Sequence, residues 1–401
     1  MRSAARPGSI GLVLSGGGAR GAYEVGVLAW IAEHLPKLLE RVTVIAGTSV
    51  GAVNGAFLAS KGLSPEGVRE LASIWRSLRI DEFLSVSRMG TLRLLGAASL
   101  RMFGTRRPSP TSSLLSVERI ARVVVENTDW RGLHRVIRTG RLEALAVAAT
   151  EVASGRTHLF VESHADRAAR RGDSAIRRVL DGTQLSTLRS VVMAPSHVLA
   201  SAAIPFFFPP VEIGGLWYVD GGLRHNTPIA PALELGAERL LLVTVRTSSP
   251  VSAASEGFPG IGQVLGKVLD SVFLDRVSFD VDRLRVMNEV VAAIERLGPD
   301  VLPRFHAELR AAHLPPYRHV DFALVRPRRD LGVLAAEHLA RNPGDNASFL
   351  RVLGALFEDD AGATADAASF FLFDGSFAAT LIDEGFRDAA ENRATLEALL
   401  T

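Results

Sequence analysis

Two strand–turn–helix units near the start of the chain constrain what it can fold into. An apolar run, Ile10-Gly11-Leu12-Val13-Leu14, leads into Gly16-Gly17-Gly18-Ala19-Arg20-Gly21, spaced G-x-G-x-x-G. A second run, Val42-Thr43-Val44-Ile45-Ala46, leads into Gly47-Thr48-Ser49-Val50-Gly51, spaced G-x-S-x-G. Helical patterns come after both. The first, over 22–39, carries Val25, Leu28, Ala29, Ala32 and Leu35 on one side; the second, over 52–61, is built of small residues that pack close to a sheet. One glycine string can offer backbone N–H groups to an anion at a helix N-terminus. The other can lift a serine hydroxyl onto a sharp strand-to-helix turn. An oxyanion hole and a nucleophile together imply a serine hydrolase.

The pattern continues along the chain. Apolar runs over 145–150, 217–220, 239–245 and 320–325 predict further strands, the second ending in Asp220-Gly221-Gly222. Continuous apolar strands alternating with helices imply a mostly parallel sheet covered on both faces. Residues 247–260, rich in Ser, Ala, Gly and Pro, read as a loop; 261–297 and the tail to Thr401 read as helical.

Composition excludes several classes. The chain has 401 residues, 47% hydrophobic and 22% charged, which is long enough and apolar enough for a large core. Its net charge is +2 and no run of five or six basic residues occurs, so nucleic acid is not an expected partner. There is no cysteine, which excludes a thiol nucleophile, a disulfide framework and a cysteine zinc site. No H-E-x-x-H or other clustered spacing points to a metal. The basic first residues precede a strand rather than a signal-peptide core, and no stretch reaches 18 apolar residues. A cytoplasmic protein is expected, with any membrane contact peripheral.

Each motif has rival readings. G-x-G-x-x-G after a strand is also the dinucleotide fingerprint, but that use requires an acid at the end of the next strand. The next strand here ends at Gly47-Thr48-Ser49. A P-loop would need Gly-Lys-Ser/Thr. Arg20 is a cation at a helix N-terminus, where it opposes the macrodipole. It either reaches a surface carboxylate, or shapes the oxyanion loop or meets an anionic head group. For a base, His225 lies five residues after Asp220, and both are candidates.

The strings Gly-Gly-Gly-Ala-Arg-Gly, Gly-Thr-Ser-Val-Gly and Asp-Gly-Gly, in this order, resemble the patatin-like phospholipases. These are serine lipid acyl hydrolases that use a Ser-Asp dyad. Ala200-Ser201-Ala202-Ala203-Ile204-Pro205 with Phe208-Pro209-Pro210 is similar to the segment before the family's aspartate. Asn226-Thr227-Pro228 and Leu235-Gly236-Ala237 resemble the segment after that aspartate, and Ala149-Thr150-Glu151 through Gly155 the middle strand and turn. The resemblance covers residues 9–246 and implies a three-layer α/β/α patatin-like fold there. Residues 247–401 are expected to form a largely helical C-terminal extension packing on that catalytic domain. The resemblance further implies Ser49 as nucleophile and Asp220 as its base and orienting partner. Oxyanion donors would be backbone N–H groups of Gly17, Gly18, Ala19 and Arg20. Gly16, Gly21, Gly47, Gly51, Gly221 and Gly222 complete the motifs. The substrate would be a lipid or other acyl ester, with no cofactor and no metal. A non-catalytic membrane-docking or scaffolding protein on the same fold is the alternative.

Residues 84–107 contain Arg88, Arg93, Arg101, Arg106 and Arg107 and no acid. Leu92, Leu95, Ser99 and Met102 recur at helical spacing. Two readings stand: a core-packing insertion, or a basic amphipathic helix making peripheral contact with a lipid surface.

Overall fold

The structure, a computed structural model, describes residues 8–83, 117–164, 186–205, 207–223, 228–247, 275–312, 317–343 and 368–401. Its strands are β1 (Ile10–Leu14), β2 (Val42–Thr48), β3 (Ala144–Glu151), β4 (Thr157–Ser163), β5 (Ser186–Ser190), β6 (Val211–Ile213), β7 (Leu216–Asp220), β8 (Arg239–Val243) and β9 (Phe322–Val325). They form one sheet in the order β5-β4-β3-β2-β1-β8-β9, with β7 pairing to β3 and β6 to β7. The ladder from β3 through β2, β1 and β8 to β9 is parallel. The pairs β3–β4, β3–β7 and β6–β7 are antiparallel.

The apolar runs are continuous because both faces of the central strands are covered. Ile10, Leu12 and Leu14 of β1 point into one core with Ile45 of β2 and Leu145 of β3. Val13, Val44, Ala146 and Leu242 alternate into a second core on the opposite face. The first core is closed by α1 (Gly21–His34), α2 (Pro36–Glu40), α3 (Val50–Ser60) and α4 (Pro65–Arg76), together with later helices. Among these are α5 (Val117–Asn127), α6 (Trp130–Arg138), α7 (Pro195–Ser201) and, near the end of the chain, residues 375–391. The second core is closed by α8 (Ile229–Glu234) and α9 (Asp275–Arg296), through Ile229, Ala232, Val281 and Leu284. Helices on both faces of a mostly parallel sheet make the three-layer α/β/α arrangement.

The first helix differs from its sequence pattern in one respect. The pattern predicts a single apolar side, but α1 is buried nearly all round, Tyr23 and Glu24 included. The reason is α10 (Gly375–Glu391), which lies along its outer side. Phe377, Leu381 and Ile382 of α10 are buried. At about 1.5–3 kcal/mol for each large side chain removed from water, this contact makes α10 a core element rather than an appendage. The two backbones approach closely at glycines. A Cβ on Gly26 would lie 2.0 Å from the Ile382 carbonyl oxygen, and one on Gly385 would lie 2.1 Å from that of Tyr23. The Tyr23 hydroxyl donates to Asp388 Oδ2 at 2.9 Å across the same contact.

No described helix is long and apolar enough to cross a membrane. Residues 84–107 lie outside the described residues.

Replacing either glycine tests the crossing. Gly26→Ala or Gly385→Ala should destabilise the protein by about 1–3 kcal/mol or more, because backbone rather than a flexible side chain must move. Thermal unfolding would show a lowered Tm for both; an unchanged Tm would contradict the close approach.

Candidate active site

Ser49 occupies the single residue between β2 and α3, with φ 54° and ψ −126°. A positive φ on a residue with a Cβ costs on the order of 1–3 kcal/mol and persists only where neighbours impose it. Here glycines impose it. A Cβ on Gly51 would lie 2.4 Å from the Leu14 carbonyl oxygen, and one on Gly47 would lie 2.5 Å from that of Gly51. The turn can therefore close only without side chains at those two positions. Two further contacts hold it. The Ser49 N–H donates to Ser201 Oγ at 2.9 Å, and the Ser49 carbonyl accepts from Ala52 and Val53 to start the helix. In the sequence Ser201 stands only within a segment similar to the family's, with no role of its own; a serine among alanines is its one signal.

Asp220 ends β7, where register with Ala149 of β3 sets its depth. It is fully buried. Its Oδ1 accepts from the Gly222 N–H at 2.7 Å. Its Oδ2 completes no hydrogen bond among the described residues. Burial pushes the carboxyl up from its ordinary 3.8 to about 7, while the Ser49 hydroxyl and the Gly222 N–H pull it back. The hydroxyl of Ser49 thus lies within interaction range of this carboxyl. Residues 171 apart in sequence meet here. A Cβ on Gly221 would lie 2.3 Å from the Ala148 carbonyl oxygen, so the chain beyond Asp220 turns against β3. His225 lies outside the described residues.

The first glycine string turns from Gly16 into a short 3-10 turn over Gly18–Arg20 and then into α1. Gly18 has φ +58°, and a Cβ on Gly21 would lie 2.4 Å from Val50 Cγ2, which sets this loop against the residue after Ser49. The Arg20 N–H donates to the Gly17 carbonyl at 3.1 Å, so it is not free to meet a substrate oxygen. The N–H groups of Gly17, Gly18 and Ala19 make no hydrogen bond among the described residues. The Arg20 side chain is 4% exposed, and its Nε donates to Ser369 Oγ at 2.8 Å.

Beneath the elbow runs a polar chain that no sequence motif announces. Asn54 Nδ2 donates to Glu24 Oε2 at 3.0 Å and to the Gly21 carbonyl at 3.1 Å, and Asn54 Oδ1 accepts from Trp75 Nε1 at 3.0 Å. Burial pushes the Glu24 carboxyl up to about 8, so it is mostly protonated at pH 7. The chain ties α1, α3 and α4 together under the site. Beside it opens a cleft lined by Gly18 and Ser49 and walled by Val53, Phe57, Leu71, Ile74 and Trp75 among others. Among the described residues no group of three or more His, Asp or Glu could hold a metal ion.

The buried carboxyl has a consequence for stability. Its folded-state value near 7 lies above 3.8, so as pH rises the unfolded chain loses the proton first. Stability due to this group therefore falls between about pH 4 and pH 7 and stays reduced above, by on the order of 4 kcal/mol. Asp220→Asn should melt above the wild type at pH 8, with the difference vanishing near pH 4. Equal shifts at both pH values would contradict a buried, proton-binding Asp220.

Comparison with known proteins identifies the family. A model of the patatin-like phospholipase family matches residues 12–233. A stretch of 76 residues is 40% identical to lysophospholipase nte1 of Aspergillus terreus, over 17% of this chain and 5% of that protein. The chain thus spans a small part of that relative's length. Among solved structures, VipD of Legionella pneumophila is 15% identical, with 94% of this chain and 67% of that one covered at a TM-score of 0.34. Human GIVD cytosolic phospholipase A2, in complex with methyl gamma-linolenyl fluorophosphonate, is 14% identical, with 96% and 59% covered at a TM-score of 0.35. With more than half of its length matched by the family model, this chain belongs to the patatin-like phospholipases.

Proposed function

We propose that the protein is a lipid acyl hydrolase of the phospholipase A or lysophospholipase type, cleaving carboxylic esters through Ser49 and Asp220. The observation that carries this is a serine in strained backbone that lines an apolar cleft and interacts with a buried carboxyl. The cleft walls suit an acyl chain, and the strained turn keeps the hydroxyl presented to it.

The steps derive from the groups present. Ser49 Oγ attacks the acyl carbonyl carbon as its proton passes to the Asp220 carboxylate. In water a carboxylate is a poor base for serine; with its pKa near 7 this one is matched to the task. The carbonyl oxygen becomes an oxyanion, met by the N–H groups of Gly17, Gly18 and Ala19 at the N-terminal end of α1. Collapse breaks the ester bond, and the leaving alcohol takes the proton from Asp220. Water, deprotonated by Asp220, then attacks acyl-Ser49; Ser49 recovers its proton as the fatty acid leaves. No histidine is required.

Steady-state kinetics on a soluble short-chain ester test this reading. Ser49→Ala should remain folded and lose turnover by several orders of magnitude. For the wild type, kcat/KM should rise with pH through a midpoint near 7, because Asp220 must be deprotonated to act as base. Near-normal turnover by a folded Ser49→Ala protein would overturn the proposal, and an acidic limb near pH 4 would remove Asp220 as a buried base.

A further inference from the structure

Residues 368–374 lie beyond the region matched by the family model, yet they contact the site at three points. Ala368, Ser369, Phe370, Phe371 and Leu372 are buried. At the glycine-rich loop, Ser369 Oγ accepts from Arg20 Nε at 2.8 Å, and the Arg20 guanidinium carbon sits 3.9 Å from the centroid of the Phe370 ring. On the other side of the same loop, the Phe370 carbonyl presses on Gly18, where an added Cβ would lie 2.2 Å from its oxygen. Near the segment that leads to Asp220, Phe371 stacks on Phe207 with centroids 3.8 Å apart. In the cleft wall, Phe373 stacks on Trp75 at 6.3 Å. Asp374 then caps α10, accepting from the N–H groups of Ser376 and Phe377, and the Gly375 N–H donates to the Leu78 carbonyl at 2.7 Å.

Physical need explains why such a grip matters. A run of glycines has little conformational preference, and Gly18 itself sits at φ +58°. The loop's own bonding includes one short turn, Arg20 N–H to the Gly17 carbonyl. Donors that stabilise a developing oxyanion act only if they are already aimed when charge appears. A peptide flip within Gly17–Ala19 would turn a donor into a carbonyl that repels the oxyanion. Residues 369 and 370 hold the stretch from outside at its middle, Gly18, by the Phe370 carbonyl, and just beyond it, at Arg20, by Ser369 and the Phe370 ring.

We infer that Ser369 and Phe370 are positioning residues that hold the glycine-rich loop in its donor-presenting conformation through Arg20 and Gly18. The inference rests on the acyl-hydrolase reading above. Arg20 then acts as the handle of the loop and not as a contact for a lipid head group. The cation at a helix N-terminus, unfavourable by dipole alone, is compensated by the hydroxyl and aromatic face that receive it. The final part of the chain thereby becomes part of the machinery without touching substrate.

Turnover of a soluble p-nitrophenyl ester, inhibition by an alkyl boronic acid and thermal melting test it in the full-length protein. Ser369→Ala and Phe370→Leu should lower kcat by about tenfold to a hundredfold, with KM and Tm near the wild-type values. Boronic acid affinity should fall in parallel with kcat, since the tetrahedral adduct uses the same donors. Ser369→Thr, which keeps the hydroxyl, should restore most of the rate. Wild-type kcat in folded Ser369→Ala and Phe370→Leu proteins would overturn the inference alone. So would a loss of rate that tracks a falling Tm and is not rescued by threonine. Ester turnover unaffected by Ser49→Ala would instead remove the hydrolase reading, and the positioning role with it.

Discussion

A carboxyl group buried with one oxygen bonded and the other open is the constraint on which this site depends. The pairing of β7 with β3 puts Asp220 at the end of a strand in the sheet interior. There the loss of water outweighs the two hydrogen-bonding groups that favour its charge, and the pKa rises to about 7. The same burial that raises its pKa makes its ionised form unfavourable for folding. Gly222 fixes one oxygen and leaves the second without a hydrogen bond among the described residues. Deeper bonding of that second oxygen would lower the pKa and weaken the base.

The serine has a matching constraint. Its backbone is strained, and contacts from β1 and α7 close directly on it. Leu14 closes on Gly51 from β1, and Ser201 accepts the Ser49 N–H from the end of α7. The Glu24–Asn54–Trp75 chain ties the helices below. In that chain the carboxyl of Glu24 is kept neutral, so a polar connection exists without a buried charge. The segment at 368–374 presses on the facing loop from above.

What the sequence discloses and what it hides divide along physical lines. Strands such as 10–14 and 42–48 are legible because both of their faces are buried and their apolar runs are unbroken. The elbow at Ser49 is legible because only glycine fits at Gly47 and Gly51. Asp220 is legible through its strand end and the glycines after it, and the family resemblance assigns it a role. By contrast, β4 and β5 lie on the edge side of the sheet, and their mixed residues give weak periodicity. The all-round burial of α1 depends on a helix more than 350 residues later, which no local pattern reports. The Arg20 side chain likewise meets Ser369 and Phe370, 349 residues or more away in sequence, so local pattern leaves its role between a surface ion pair and a loop-shaping or head-group contact. Glu24 reads as an ordinary polar position on a helix; its burial emerges only when α3 and α4 are in place.

The pairing of Ser49 with Asp220, and with no histidine, is tested most directly by covalent labelling with a fluorophosphonate, with intact mass and peptide mapping across pH. The expected result is a single adduct on Ser49 whose rate rises through a midpoint near pH 7. Asp220→Asn should slow labelling by about 10²–10⁴, and His225→Ala should leave it close to the wild-type rate. An adduct on another residue would contradict the pairing, as would wild-type labelling of Asp220→Asn alongside slowed labelling of His225→Ala.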